Sequence, residues 1–293
     1  MRTPPVCDYE GSDYQTSFWD KGGRAYEDTC EAIALKRLLP QSGVHLLELG
    51  AGAGRNTPRY DGYQQITLLD YSRTQLEQAR SRMGDSDRYR YVAADIYHLP
   101  FTNGLFDGAT MIRTLHHMAD APNALTQVRR VLSGSAVFIL EYANKRNLKS
   151  MLRYGLGGQS WSPYTLEPIE YLPLNFDFHP RAIRTWMKNA GFSIQRTLTV
   201  SHFRLGFLKR TLPTGFLAWL DGLAQWSGNL WQITPSVFVR SITTGKSNPP
   251  AGFFICPACQ FPIEDTPPLL ECKKCGMTYP VINGIYDFKL DKK

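Results

Sequence analysis

Glu48, Gly50, Gly52 and Gly54 close an apolar run that starts at Val44, and together they spell E-x-G-x-G-x-G. With Ala51 and Ala53 between the glycines, no residue from 50 to 54 carries a bulky side chain. Such a stretch at the carboxyl end of a strand lets the backbone turn sharply and lets a ligand press against exposed amides. Its spacing separates it from a dinucleotide loop, G-x-G-x-x-G, whose third glycine lets the helix pack closely on the strand. Here the third glycine comes one residue early, and Arg55 stands where that loop needs glycine. A glycine loop preceded by a carboxylate suits a ligand with an amine and no pyrophosphate, and S-adenosylmethionine is such a ligand. Taken alone, the loop reads equally as a tight strand–helix turn.

The elements around it have the period of an α/β fold. Gln65–Asp70 is a second apolar strand that ends in an acid about twenty residues past the glycines, where a carboxylate can accept both ribose hydroxyls. Ser72 fits a helix N-cap with Gln75 three residues on, ahead of Leu76, Ala79 and Met83 at helical spacing. Further strands are expected over Tyr89–Ala94, before Asp95 and Ile96, and over Phe106–Ile112 and Ser135–Tyr142. The last follows a helix that carries Ala124, Leu125, Val128, Val131 and Leu132. Apolar strands alternating with helices imply a doubly wound parallel sheet covered on both faces.

The runs ELGAGAG (48–54), LLDYS (68–72), AADIYHLPF (93–101), FDGATMIRTLHHM (106–118) and VRRVLSGSAVFILEY (128–142) resemble the class I S-adenosylmethionine-dependent methyltransferases, especially the family that includes quinone-biosynthesis C-methyltransferases. The resemblance covers roughly residues 10–200, in order and spacing. It implies a seven-stranded, mostly parallel Rossmann-like sheet. It also implies that Gly50, Gly52 and Gly54 pass the methionine portion, that Asp70 binds the ribose, and that Asp95 and Ile96 flank the adenine. Glu48, Ala51, Tyr71 and Arg113 complete the implied cofactor set. Ser133-Gly134-Ser135 departs from the usual Pro-Gly-Gly turn, which touches the turn only. Such sheets finish with an antiparallel hairpin, for which Phe192–Val200 and Ser236–Ile242 are the candidates. Residues 201–235 then form an insertion rich in Phe and Trp, suited to cover an apolar substrate, to rest on a membrane surface or to pack on the domain.

Four cysteines carry a second chemistry. Cys256-Pro-Ala-Cys259 and Cys272-Lys-Lys-Cys275 are two C-x-x-C pairs twelve residues apart, the spacing of a closed four-thiolate zinc site. Histidine is absent from the set, so a structural rather than catalytic metal is expected. The polar stretch SITTGKSNPPAG (241–252) reads as a linker, which divides the chain into a methyltransferase domain, 1–245, and a zinc ribbon, 252–293. Roughly forty residues are too few for a core without a staple, and a metal supplies one. Asn283-Gly284 between apolar runs signals a hairpin. The segment resembles the small zinc-ribbon proteins that activate tRNA, rRNA and release-factor methyltransferases, which implies a stabilising or substrate-guiding module. Cys7 and Cys30 are left as free thiols without an evident role.

The net charge of +7 lies outside the ribbon, where five lysines balance five acids. From Arg181 to Arg210 seven cations occur with no Asp or Glu. Such a stretch attracts the phosphates of RNA or an anionic headgroup, or is simply the solvated side of one helix and one strand. His116 and His117 follow the fourth strand, and a histidine there suits a base that takes a proton from the acceptor; alternatively one packs inward and neither reacts. The chain lacks the Asn/Asp-Pro-Pro-aromatic loop that binds exocyclic amines and the Pro-Cys nucleophile of C5 pyrimidine chemistry. These observations favour a small or lipid-like acceptor, with RNA or a translation protein as the alternative. No apolar run of eighteen residues and no signal-like N-terminus occur, so a cytoplasmic protein without a membrane span is expected, peripheral membrane contact remaining open.

Overall fold

The computed structural model describes residues 4–12, 15–245 and 252–290; half of the linker expected between the two units, residues 246–251, lies outside these. In chain order, α1 (Ala25–Leu38) precedes β1 (Gly43–Leu49), β2 (Tyr63–Asp70), α2 (Arg73–Met83), β3 (Tyr89–Ala93), β4 (Phe106–Met111), α3 (Ala121–Val131) and β5 (Leu132–Ala143). Next come α4 (Leu148–Gly155), a small hairpin of β6 (Ile169–Leu172) and β7 (Asn175–Asp177), α5 (Pro180–Asn189) and β8 (Phe192–Val200). The insertion holds α6 (Gly206–Thr211) and α7 (Thr214–Ala224), and β9 (Ser236–Thr243) returns to the sheet. The cysteine-bearing segment adds β10 (Phe254–Ile255), β11 (Pro262–Ile263), β12 (Leu269–Glu271), β13 (Thr278–Ile282) and β14 (Ile285–Asp287).

The seven strands anticipated from the sequence lie side by side as β3-β2-β1-β4-β5-β9-β8, parallel up to β5 and antiparallel in the closing β5-β9-β8 part. The sheet is nevertheless ten strands wide. β14 pairs in parallel with β3, Ile285 beside Tyr91 and Asp287 beside Ala93, and carries β13 and β12 along in antiparallel order. The Asn283-Gly284 turn, both residues at positive φ, makes the β13–β14 hairpin. Physically, the C-terminal segment is an extension of the sheet edge. It caps a β3 edge whose amides would otherwise remain open to pairing.

Two apolar layers sandwich the sheet. One joins α3 (Ala124, Leu125, Val128) and α5 (Ile183, Met187) to Leu47, Met111 and Phe138, and runs without a break into Phe254, Leu270, Tyr279 and Phe288 of the C-terminal segment. The other gathers α1 (Cys30, Ala34, Leu38), α2 (Leu76, Ala79) and α7 (Leu217, Ala218) on the opposite face. The Ser133-Gly134-Ser135 departure appears as a register break in β5, with Ser135 at φ 64° before pairing with β4 resumes at Val137. The insertion thus packs in part on α1, but through Leu217 and Ala218, while Phe207, Phe216, Trp219, Trp226 and Trp231 stay exposed.

Candidate active site

Strand order reverses between β1 and β4, and in open α/β sheets the crevice at the carboxyl ends of such strands binds ligands. A cleft lies there, and its wall includes Glu48, Gly50, Ala51, Gly52, Asp70, Tyr71, Ile96, Arg113 and His117. Gly54, Asp95 and His116 are not among the lining residues, and the first two have another occupation. A Cβ at Gly54 would sit 3.2 Å from the Cβ of Ala79, so this glycine admits helix α2. Asp95 caps the turn after β3, accepting from the Tyr97 amide at 2.9 Å and facing His98 Nδ1 at 3.1 Å. Its neighbours Ala94 and Ile96 form the wall instead.

The other two glycines also differ. At Gly50 (φ 66°) a Cβ would collide with the Thr114 side chain at 2.1 Å, whose hydroxyl donates to the Leu49 carbonyl at 3.1 Å. At Gly52 (φ 53°) a Cβ would meet nothing closer than Gln75 at 3.9 Å. Gly50 closes a contact inside the protein, whereas Gly52 leaves open room over the loop. Gly52→Val should therefore fill the cleft, with a backbone strain of about 1–2 kcal/mol, while Gly50→Val should fail to fold. Thermal melts of the two variants would separate them, and equal melting temperatures would refute the distinction.

Two carboxylates face the cleft. Asp70 accepts from the Gly52 amide at 2.8 Å and the Ser72 amide at 2.9 Å, which ties the end of β2 to the glycine loop. Burial raises its pKa against these donors. Glu48, almost fully buried, accepts from the Thr57 hydroxyl at 2.6 Å. Burial pushes its pKa up to about 7, well above the ordinary carboxylate range.

A charged latch closes one side. Burial opposes ionisation of Glu31 on α1, but the Arg113 and Arg55 guanidiniums outweigh it and hold its carboxyl below the usual range. Arg113 Nε lies 2.7 Å from Glu31 Oε1 and Arg55 Nη2 2.7 Å from Oε2. The Arg113 amide donates to Glu141 at 3.0 Å, and its backbone is held at φ 58°. Trp19 stacks against Arg55 at 3.5 Å from the ring centroid.

The N-terminal segment was invisible to motif reasoning, yet Val6, Cys7, Tyr9 and Trp19 line the cleft. The Glu10 carboxylate pins this segment, accepting from the Arg73 and Thr74 amides at 3.0 and 3.1 Å at the start of α2. Carboxylate at a helix N-terminus is favourable. Across the cleft, His117 Nδ1 lies 2.9 Å from the Leu174 carbonyl, which only accepts, so Nδ1 carries the proton. Nε2 is then the lone pair that receives the Tyr9 hydroxyl at 3.2 Å. Burial lowers the His117 pKa, and burial with the His117 and Arg113 neighbours lowers that of His116 further. Of the two candidate histidines, only His117 presents a base to the cleft.

Far from the cleft, the sulfurs of Cys256, Cys259, Cys272 and Cys275 lie within 4.8 Å of one another. Cys256 and Cys275 are 3.6 Å apart, Cys259 and Cys272 3.4 Å. Zn–S bonds of about 2.3 Å put tetrahedral sulfurs about 3.8 Å apart, so the donor set fits such a shell. The Tyr279 hydroxyl approaches Cys256 at 3.1 Å as an outer partner. The acid-free basic stretch does not form one surface, because Arg204 and Lys209 are both engaged by Glu27 of α1 at 3.3 and 2.9 Å.

Residues 47–140 match the family model described as a methyltransferase domain. Among curated proteins, the chain is 32% identical to an O-methyltransferase of Penicillium expansum over 46% of this chain and 53% of that protein. It is 25% identical to a demethylmenaquinone methyltransferase of Clavibacter sepedonicus over 54% and 69% of the two chains. The chain spans about half the length of the first of these. Among solved structures, a chain from the complex of the Haloferax volcanii Trm112 methyltransferase activator with a methyltransferase matches with TM-score 0.56 at 16% identity, over 80% of this chain and 96% of that one. The Burkholderia thailandensis 1,6-didemethyltoxoflavin-N1-methyltransferase matches with TM-score 0.51 at 17% identity, over 80% and 86%. At such identities the structural matches establish the fold, a class I methyltransferase fold.

Proposed function

We propose, on the footing that residues 47–140 match the methyltransferase-domain family model, that the chain transfers a methyl group from S-adenosylmethionine to a small or lipid-like acceptor. The observation that carries this reading is the cleft itself, with open room over Gly52 and two acids, the buried Glu48 and the half-buried Asp70, facing it from adjacent strand ends. Asp70 would hold the ribose hydroxyls and Glu48 the ligand's ammonium, and Ala94 and Ile96 would offer the adenine an apolar wall. Bound S-adenosylmethionine supplies an electrophilic methyl on a sulfonium, which needs only an in-line nucleophile at about 3 Å.

The chain's own groups do the rest. His117 Nε2 takes the acceptor's proton, directly or through the Tyr9 hydroxyl it already holds, and the Leu174 carbonyl fixes its tautomer. Low basicity suits it to an acidic acceptor proton, such as that of a phenol or an activated carbon. Trp19, Val6 and Tyr9 exclude water from the acceptor side. The four thiolates would hold one structural zinc, which would brace the segment paired with the β3 edge. The names of the curated relatives, an O-methyltransferase and a demethylmenaquinone methyltransferase, favour a small acceptor; RNA or a translation protein is the second reading, for which the four-cysteine module speaks.

Isotope-labelled S-adenosylmethionine incubated with the purified protein and cell extract should label the small-molecule and lipid fractions. Label confined to RNA or protein would overturn the acceptor class. Asp70→Ala should weaken S-adenosylmethionine binding by the value of a charged hydrogen bond, about 1.5–3 kcal/mol, or roughly tenfold to over a hundredfold. Calorimetry that finds undiminished affinity removes Asp70 from the site.

A further inference from the structure

Exposed apolar side chains on this protein are concentrated. Among the described residues, all the large ones except Val44, Phe261, Leu269 and Ile282 fall within 148–172 and 205–231. On α4, Leu148 and Leu152 are one turn apart and more than half exposed apiece or nearly so (50% and 56%), and Leu156 follows one turn later. On α7, Leu217, Ala218 and Asp221 pack inward while Phe216, Trp219 and Leu223 face out, the rings of Phe216 and Trp219 stacked at 6.1 Å. Hydrogen bonds tie the two segments at one point. The Leu148 amide donates to the Ile233 carbonyl at 2.8 Å, and Asn144 Nδ2 donates to the Thr234 carbonyl at 2.8 Å, which sets the start of α4 beside the exposed Leu230 and Trp231.

Charge follows this boundary on α4, α6 and the outer face of α7, while exposed Glu167 and Glu170 stand outside it, before and within β6. No acid occurs between Glu141 and Glu167 or between Asp177 and Asp221. Lys149 and Arg153 are exposed on α4, and Arg210 is exposed at the end of α6. Leu, Phe and Trp interleaved with cations and free of acids match the interface of an anionic bilayer, where rings and aliphatic chains enter the headgroup boundary and cations meet lipid phosphates. RNA would leave the leucines without a partner, and a second copy would set cation against cation. None of the described helices is long and apolar enough to cross a membrane, so contact would be along the surface.

We propose that the outer faces of α4 and α7, joined through residues 225–234, dock this protein on an anionic lipid bilayer. The docked face continues to the cleft through the β6–β7 hairpin, whose Tyr171 and Leu172 are exposed and whose Leu174 carbonyl holds His117. Delivery of an apolar acceptor along that hairpin rests on the methyltransferase reading; docking does not.

The test needs no cofactor or acceptor. The full chain is sedimented with vesicles of phosphatidylcholine containing about one-third phosphatidylglycerol, and with phosphatidylcholine alone. Binding to the anionic vesicles with a blue shift of tryptophan emission is expected. Phe216→Ser with Trp219→Ser should cut partitioning by about tenfold or more, since two buried rings are lost. Lys149→Glu with Arg153→Glu should abolish the preference for anionic lipid. Both sites are exposed, and unchanged melting temperatures would certify the fold of each variant. The proposal fails if the protein ignores both vesicle types or if the aromatic variant binds as tightly as the native chain. It also fails if the faces are consumed in a stable dimer that does not bind lipid. RNA binding that falls by about 0.7 log unit per contact with salt, indifferent to the aromatic substitutions, would equally overturn it.

Discussion

Cys259→Ser should release the metal and cost more than the ribbon. An isolated module of this size would melt alone and leave the remaining domain intact, but this one shares its core with the domain. Phe254 lies against Phe101 with ring centroids 6.1 Å apart, Phe288 donates its amide to the Ala93 carbonyl at 2.8 Å, and Thr102 donates to the Phe253 carbonyl at 3.1 Å. Arg90 on β3 reaches Asp265 at 2.8 Å. Structural zinc in small peptides contributes about 10–16 kcal/mol of apparent binding energy. Transmission of even about 4 kcal/mol of it would lower the melting temperature by about 10 °C in a domain of this size.

The same loss should reach the cofactor, although no cysteine of the cluster touches the cleft. β14 is the outer neighbour of β3, and Ala94 and Ile96, just past β3, form part of the cleft wall. Lys289 lies 5.6 Å from the Tyr71 ring and 3.6 Å from Glu10, which pins the N-terminal segment. S-adenosylmethionine affinity should therefore fall at least about fivefold, a coupling of about 1 kcal/mol. Elemental analysis, melting curves and calorimetry on the native and variant chains check each step. Metal-free protein with native melting temperature and native affinity would reduce the module to an appendage.

The sheet was legible because each strand ends in a residue that sequence patterns mark. Glu48 and Asp70 terminate apolar runs, and Ser72 caps α2 by accepting from the Gln75 amide at 3.2 Å, as its spacing predicts. The four thiols and the Asn283-Gly284 hairpin were legible for the same reason, since local spacing dictates local geometry. What sequence could not reveal depends on contacts between distant segments. Nothing in VCDYEGSD announces that Tyr9 will meet His117 across 108 positions. No pattern states that β14 will pair with β3 rather than close on its own module. Asp95 has the position in the motif that the resemblance marks, and its carboxylate also caps the turn after β3 by accepting from the Tyr97 amide, a local role that the spacing did not announce. The Arg181–Arg210 run left open a basic face or an ordinary solvated surface; Glu27, buried on α1, claims two of its cations. Linear charge runs say little about surfaces when the partner lies on another helix.

Glu48→Gln should make the ligand-free protein more stable above neutral pH and a poorer binder. The Glu48 carboxyl titrates at about 7 in the folded chain, against an ordinary value of 4.5, because burial penalises the charge. A carboxyl with raised pKa favours the folded state while protonated, so its contribution is complete below about pH 4.5 and is lost as pH rises to about 7. Above that, ionisation in the buried site costs up to about 3 kcal/mol, at 1.36 kcal/mol per unit. Glutamine cannot ionise, and its carbonyl can still accept the Thr57 hydroxyl at the same position. The variant should therefore melt several degrees above the native chain at pH 8 and coincide with it near pH 5. Binding reverses the preference, since an ammonium beside Glu48 favours the carboxylate. Native affinity should rise with pH, by up to about tenfold per unit below 7, and level off above it. In the variant it should be weaker and nearly flat. Melting and calorimetry across pH 5–8 decide the matter. A native chain with pH-independent affinity, or a variant with the native melting profile, would mean that Glu48 neither strains the empty cleft nor receives the amine.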